Sequence, residues 1–252
     1  MVTPVGEVAW AALARAAEPM DAAALTRLAP MMIVAPHQDD ETLGCGGLIA
    51  SAAALGLRPR VAYLTDGAAS HTGSPTWPAT RIAATRRREA IEALDILGVS
   101  ATDVRFLDWP DAAPRAPGSI PYESTVTEML AWMDQFAPAS LWSPWSGEAH
   151  CDHRAASQIA SDLAARWAGD RPIAEMSYLV WGWAEAGLIE AARLHRIWAL
   201  PCRQTVPLRR RALARHRTQM TDIIDDADRG FTIPPRLAAV TERPLEMYLG
   251  QP

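Results

Sequence analysis

The sequence predicts an α/β fold, a single domain on a Rossmann-like, mostly parallel sheet flanked by helices. Three observations carry that expectation. Short apolar runs of strand length alternate with longer stretches of helical periodicity, the pattern of right-handed βαβ units. A chain of 252 residues, 49% hydrophobic, can bury one sizeable core as a single unit. Finally, one imidazole and three consecutive acids, in His37-Gln38-Asp39-Asp40-Glu41, follow directly on the apolar run Met31–Ala35. A polar cluster at the C-terminal end of a strand is where open α/β sheets place their sites.

The elements follow in order. Residues 1–30 are alanine-rich with helical spacing at Val8, Ala11, Leu13, Leu25 and Leu28, and read as an N-terminal helical extension packed on a main domain spanning 31–252. Met31–Ala35 reads as a buried strand, Gly44–Leu55 as a small-residue helix and Arg60–Thr65 as a second strand. Arg81–Leu97 is amphipathic and stops at Gly98, a residue suited to a left-handed C-cap. Val104–Leu107 predicts a third strand, Tyr122–Phe136 a helix and Ser140–Trp142 a short strand. His153–Trp167 predicts a helix with Ala156, Ile159, Ala160 and Leu163 on one side. Strands near Met176–Trp181 and Arg196–Leu200, then a helix from about Leu208, complete the pattern. The Pro- and Gly-rich stretches Gly67–Pro78 and Pro110–Pro121 are loops, and long loops after strands are common seats of function.

Composition removes several function classes. A net charge of −5 argues against nonspecific nucleic-acid binding. All 24 basic residues are arginine, which excludes lysine nucleophiles and Schiff bases and fits a GC-rich bacterial genome. The three cysteines, Cys45, Cys151 and Cys202, form no CxxC pair, and their odd number suits a reducing cytoplasm. Glu7, Arg15 and Glu18 interrupt the N-terminus where a signal peptide would be apolar, and no apolar stretch approaches the roughly 20 residues that span a bilayer. The expectation is a cytoplasmic protein with no integral membrane segment, a small-molecule partner and a composition compatible with a homo-oligomer.

Three adjacent carboxylates repel one another unless a cation offsets their charge. More than a hundred residues later, His150-Cys151-Asp152-His153 holds two of the six histidines. His37, Asp40 and His153 together supply three nitrogen and oxygen ligands and leave a position for water, as catalytic zinc sites do. A two-His, one-carboxylate set also suits ferrous iron, so zinc is the leading cofactor and Fe2+ the second. Asp39, beside a ligand but free of the metal, is the candidate general base. His150 is placed to donate to an oxyanion or to a leaving amine, and Asp152 to fix the tautomer of an imidazole. The reaction class is hydrolysis of an amide or ester at a polarised carbonyl.

Plainer readings exist for each feature. An acidic helix N-terminus accounts for the carboxylates but not for His37 or the His150–His153 pair. Glu41 either caps the next helix or supports a ligand. Cys151 reads as a small inert side chain with some capacity to compete for a soft metal, and His216 as helix packing. Gly44-Cys45-Gly46-Gly47 departs from the dinucleotide-loop spacing. Trp77, Trp109 and Trp145 fall in loops after strands, where stacking on a sugar ring competes with ordinary core packing.

His37-Gln38-Asp39-Asp40-Glu41 with Leu43-Gly44-Cys45-Gly46-Gly47 closely resembles the signature of the PIG-L, or LmbE-like, zinc-dependent N-deacetylases, and His150-Cys151-Asp152-His153 resembles that family's later His-x-Asp-His element. Arg86-Arg87-Arg88-Glu89 is similar to its Arg-x-x-Glu helix, Phe106–Asp111 to a strand and loop ending in Asp, and Ala212–Gln219 to a helix ending in His-x-Ser-Gln, with Thr218 in place of Ser. Gln38 and Cys151 stand where the family usually carries proline. The resemblance spans roughly residues 30–220. It implies metal ligation by His37, Asp40 and His153, base catalysis by Asp39, assistance by His150, and sugar contacts at Arg86 and Asp111. The implied function is removal of an N-acetyl group from an N-acetylglucosamine-type amino-sugar conjugate. The alternatives are a zinc amidase on a larger amide or biosynthetic intermediate, and a non-catalytic metal-dependent sugar-binding protein.

Overall fold

A computed structural model describes residues 4–250. The chain enters through helix α1 (Pro4–Ala16), a two-residue strand β1 (Glu18–Pro19) and helix α2 (Ala22–Leu28), whose N-cap Asp21 accepts the Ala24 N–H at 2.8 Å. Alternation then sets in with β2 (Met31–Ala35), α3 (Asp40–Ala54), β3 (Arg60–Thr65), the short β4 (His71–Thr72), α4 (Ala79–Leu97), β5 (Val104–Trp109) and α5 (Ile120–Met133). It continues through β6 (Ser140–Pro144), α6 (Cys151–Arg166), β7 (Ala174–Tyr178), α7 (Leu188–Ala192), β8 (Arg196–Pro201) and α8 (Val206–Leu213). The last elements are α9 (Arg217–Met220), β9 (Arg229–Gly230), α10 (Pro235–Ala238) and β10 (Leu245–Gly250). Gly98 closes α4 with φ 89°, the left-handed cap its position predicts.

Among the described residues the main sheet has eight strands in the order β1-β8-β10-β7-β6-β2-β3-β5. Every pairing is parallel except those of β10, which runs antiparallel between β7 and β8. From β2 the chain builds outward through β3 and β5, then returns to place β6 on the other side of β2, with Met31 opposite Ser140 and Ile33 opposite Trp142. The connections therefore diverge between β2 and β6. A crevice at the C-terminal ends of such diverging strands is where doubly wound sheets bind ligands.

Strand β2 is buried along its whole length, as a central parallel strand covered on both faces must be. Its side chains alternate between two cores. Met31, Ile33 and Ala35 join residues of α3 and α4 with Trp142 and Tyr178, whereas Met32 and Val34 join residues of α5 and α6. Helix α1 contributes Ala9 and Leu13 to a third cluster with Leu179, Leu188, Ile197 and Met247.

Helix α3 starts at Asp40, four residues before the glycines where its periodicity begins. Those glycines serve close packing. A Cβ on Gly44 would lie 2.3 Å from the Tyr178 ring, and one on Gly47 2.8 Å from the Glu246 carboxylate. Glu246 is buried, accepts the Gly47 and Leu48 N–H groups at 2.6 and 2.8 Å, and pairs with the buried Arg209 of α8 at 3.2 Å. Among the described residues no helix is long and apolar enough to cross a membrane.

Candidate metal centre and pocket

The site grows from the ends of β2 and β6. After β2, the Pro36 carbonyl accepts both the Thr65 N–H and the Thr65 hydroxyl at 3.0 Å, which ties the chain to β3 as it delivers His37. The first turn of α3 brings Asp40 back beneath that ring. Its Oδ2 accepts the His37 backbone N–H at 3.0 Å and lies 3.1 Å from His37 Nδ1. From the β6 side, the first turn of α6 supplies His153, whose Nε2 is 3.3 Å from the same oxygen. The candidate donor atoms of His37, Asp40 and His153 all lie within 4.8 Å of one another.

Each imidazole also meets carboxylates on its outer side. His153 Nδ1 is 2.6 Å from Glu148 Oε2, and Glu148 is itself pinned, its Oε1 accepting the Val180 and Gly182 N–H groups at 2.6 and 2.9 Å. With its proton on Nδ1, His153 presents the Nε2 lone pair to the cluster. His37 Nε2 faces Asp152 Oδ2 at 3.1 Å and Asp111 Oδ1 at 3.2 Å. Such outer carboxylates orient metal-ligating histidines and raise their basicity.

The electrostatics express a demand for positive charge. Burial by itself lowers the His153 pKa, yet Asp40 and Glu148 outweigh it and lift the group to about 9. His37 is raised by Asp111, Asp152 and Asp40 against the same burial. Burial would raise Asp40, but the two histidines hold it well below the usual carboxylate range. Asp111 is likewise drawn down to about 2, burial being outweighed by its bond to His37. A bound divalent cation meets this demand directly, and two imidazole nitrogens with one carboxylate oxygen are the donors it takes. His37, His150 and Asp152 form a second cluster of this size that shares His37, but there His150 Nδ1 already accepts the Asp152 N–H at 3.2 Å. Cys151 belongs to neither group, its Sγ resting 3.7 Å from Asp152 Oδ1.

Asp39 is outside the converging donor set but lines the same cavity. Burial raises it to about 6, with Asp40 adding to the rise and Arg86 opposing it. Arg86 Nη2 donates to Asp39 Oδ2 at 3.2 Å, while its other contacts go to the Gly67 and Gln38 carbonyls at 3.0 and 3.2 Å. Gly67 permits this approach: at φ 68°, a Cβ there would sit 2.3 Å from Gln38 Oε1 and 2.8 Å from Arg86 Nη1. Gln38 uses its amide to donate to the Thr65 carbonyl at 2.8 Å, so the residue at this spacer position ties the loop to β3. His150 is the half-exposed N-cap of α6. Because its Nδ1 is an acceptor, its proton sits on Nε2, and burial with His37 and His153 nearby lowers its pKa. Its ring meets His37 edge-on at 4.9 Å.

A cavity of about 240 Å3 covers these groups, lined by His37, Asp39, Asp40, Arg86, Asp111, His150 and His153 and also by the apolar Leu43, Trp181, Phe231, Ile233 and Leu237. Seven of the eight residues singled out from sequence thus line one cavity, and Asp152 lies beneath it on His37. Asp111 faces His37 and the Ala69 N–H, which it accepts at 2.9 Å. Two of the three weaker motifs also meet: Glu89, one turn after Arg86, accepts the Thr218 N–H at 3.1 Å and its hydroxyl at 2.7 Å, seating α9 so that Gln219 reaches the cavity. His216 is buried with Nε2 3.4 Å from Glu41 Oε1, an ion-pair contact and not a hydrogen bond. None of Trp77, Trp109 and Trp145 lines the cavity. Trp109 is core and donates to Thr125 at 2.9 Å, Trp145 is buried, and Trp77 lies against the Arg81 guanidinium. Glu148, two residues before His150, has no role that the sequence assigns, since its backbone partners Val180 and Gly182 lie past the end of β7.

A family model described as GlcNAc-PI de-N-acetylase, PIG-L, matches residues 32–164. No curated protein sequence matches the chain. Among solved structures, the N,N′-diacetylchitobiose deacetylase of Pyrococcus horikoshii is 21% identical with a TM-score of 0.60, over 77% of this chain and 72% of that one. A deacetylase of teicoplanin biosynthesis is 18% identical with a TM-score of 0.63, over 87% and 96%. A 4-carboxy-2-hydroxymuconate hydratase from Pseudomonas putida is 16% identical with a TM-score of 0.60, over 88% and 94%. At these identities the likeness is one of fold.

Proposed function

The chain belongs to the PIG-L, or LmbE-like, family, and we propose that it is a metal-dependent hydrolase removing an N-acetyl group from an N-acetylglucosamine-type amino-sugar conjugate. A hydratase among the structural neighbours means that fold alone does not choose the reaction, so the reading rests on the site. One observation carries it: Asp39, buried and raised to about 6, stands next to three converging metal donors without being one of them. A binding protein has no use for a base held there.

His37, Asp40 and His153 would hold the cation, zinc first and ferrous iron second, with Asp152, Asp111 and Glu148 fixing the two imidazoles. Bound there, the metal supplies Lewis acidity towards the amide carbonyl and an attacking water. Asp39 would take a proton from a water adding to the carbonyl carbon, and Arg86 holds that carboxylate in place for the transfer. His150, with its single proton on Nε2, would give a hydrogen bond to the developing oxyanion, and the proton taken up by Asp39 would pass to the departing nitrogen as the C–N bond breaks. Acetate and a free amine result.

The test is acetate release from a panel of N-acetylglucosaminides by the zinc-loaded protein, before and after chelation and zinc return. Turnover that disappears and recovers with the metal is expected. Substrate binding without acetate release under any metal would overturn the reading in favour of a sugar-binding protein, and release of larger acids alone would favour the amidase.

A further inference from the structure

The cavity has two unlike halves of different origin. Its charged side comes from residues 37–153, inside the stretch that the family model matches. Its large apolar side chains, Leu43 apart, are Trp181, Phe231, Ile233 and Leu237, all beyond residue 164, whereas the small Ala69 and Ala112 lie within the matched stretch. The elements that define the family build the chemistry, and a separate part of the chain builds the facing wall.

That wall is fixed in place. Strands β4 and β9 pair across the mouth, the Phe231 N–H donates to the Ser70 carbonyl at 2.9 Å, and the Ile233 N–H donates to the Gln219 carbonyl at 2.7 Å. Asp226 clasps the preceding loop, accepting from the Thr76 N–H at 3.2 Å and its hydroxyl at 2.7 Å. Yet Phe231 remains 37% exposed, its ring edge-on to Trp181 at 6.0 Å between centroids. An aromatic side chain held rigidly at the rim with its face uncovered gains most of its burial only when a ligand arrives. Gln219 Oε1, buried in the same cavity, has no hydrogen-bond partner among the described residues, a second sign of a missing occupant. At about 240 Å3 the cavity is small beside the roughly 300–1,000 Å3 of most small-molecule pockets, and the partly exposed Phe231 lines it.

We infer that the Trp181–Phe231 wall is the specificity surface of this site and receives an apolar or aromatic group that the substrate carries next to its scissile amide. The inference rests on the deacetylase reading and narrows its substrate class. The group can belong to the aglycone or to the acyl chain.

Two series separate these sources: N-acetylglucosaminides with methyl, hexyl and phenyl aglycones, and methyl glucosaminides acylated with acetyl, hexanoyl or benzoyl. The zinc-loaded protein should show kcat/KM rising about tenfold or more along one series. Phe231→Ser should bring that ratio close to one whatever its absolute rate, and Phe231→Leu should keep most of it. A flat response in both series, or a preference that survives Phe231→Ser, overturns the inference. Calorimetric binding of the methyl, phenyl and benzoyl compounds to Asp39→Asn keeps the two readings apart. If nothing is turned over, the deacetylase reading fails, whereas an apolar binding preference lost in Phe231→Ser still upholds the wall. Equal binding of all three overturns it.

Discussion

Asp39 and Asp40 are adjacent in the chain and differ in almost every physical respect. Asp40 is flanked by two imidazoles that keep it ionised, while burial and the charge of Asp40 lift Asp39 to about 6. Asp39→Asn should therefore retain bound zinc and lose about 10²–10⁴-fold in kcat, whereas His37→Ala should lose both, as metal analysis alongside the acetate assay will read. Glu148→Gln weakens the hold on His153 Nδ1 and should reduce zinc affinity by about 10–100-fold in a chelator competition. His216 offers a pH signature. Its pKa is raised, burial being outweighed by Glu41 with Asp39 and Glu89 adding, so its stabilising effect is full below the unfolded value of about 6.5 and fades as pH rises through the folded one. The urea-midpoint gap between the protein and His216→Gln should narrow from pH 6 upward; a gap that widens refutes the pairing. The candidate ligand residues are legible in the sequence because acids crowded at a strand end repel one another, and histidines beside them offer the remaining donors for a cation that would relieve the repulsion. Glu148 and Gln219 are not, because their partners are backbone groups and neighbours set by tertiary contact.

Helix α3 carries three glycines within four residues, a composition that disfavours helix, and it persists because Tyr178, Arg209 and Glu246 press against those positions. Gly44→Ala forces its methyl into the Tyr178 ring and should cost about 1–3 kcal/mol, seen as a lower melting temperature. An unchanged melting temperature would show that the ring yields. The strands β2, β3, β5, β6 and β8 were visible in the sequence as apolar runs. Strand β7 ends at Tyr178, short of the expected Trp181, because the chain turns there to give Val180 and Gly182 to Glu148. Strand β10 escaped notice because its buried Glu246 breaks the apolar pattern, its charge being answered by Arg209 from another helix.

The α/β class and parallel sheet followed from alternation alone, but the strand order did not, since periodicity carries no information about which neighbour a strand selects. That order decides the site, for only the adjacency of β2 and β6 brings His37 to His153. A cation that binds the folded chain and not the unfolded one stabilises it by about 2.7 kcal/mol at 100 times Kd. Zinc should thus raise the melting temperature by about 5–10 °C, and His37→Ala should abolish the shift. The turn at Val180 and Gly182 carries a consequence for biogenesis. Until that turn has left the ribosome, Glu148 lacks its anchors and His153 its orientation, so a nascent chain has no finished cradle for the ion. A metal would then find its cradle complete only once that turn has formed, and in refolding experiments zinc uptake should lag behind the burial of the core tryptophans.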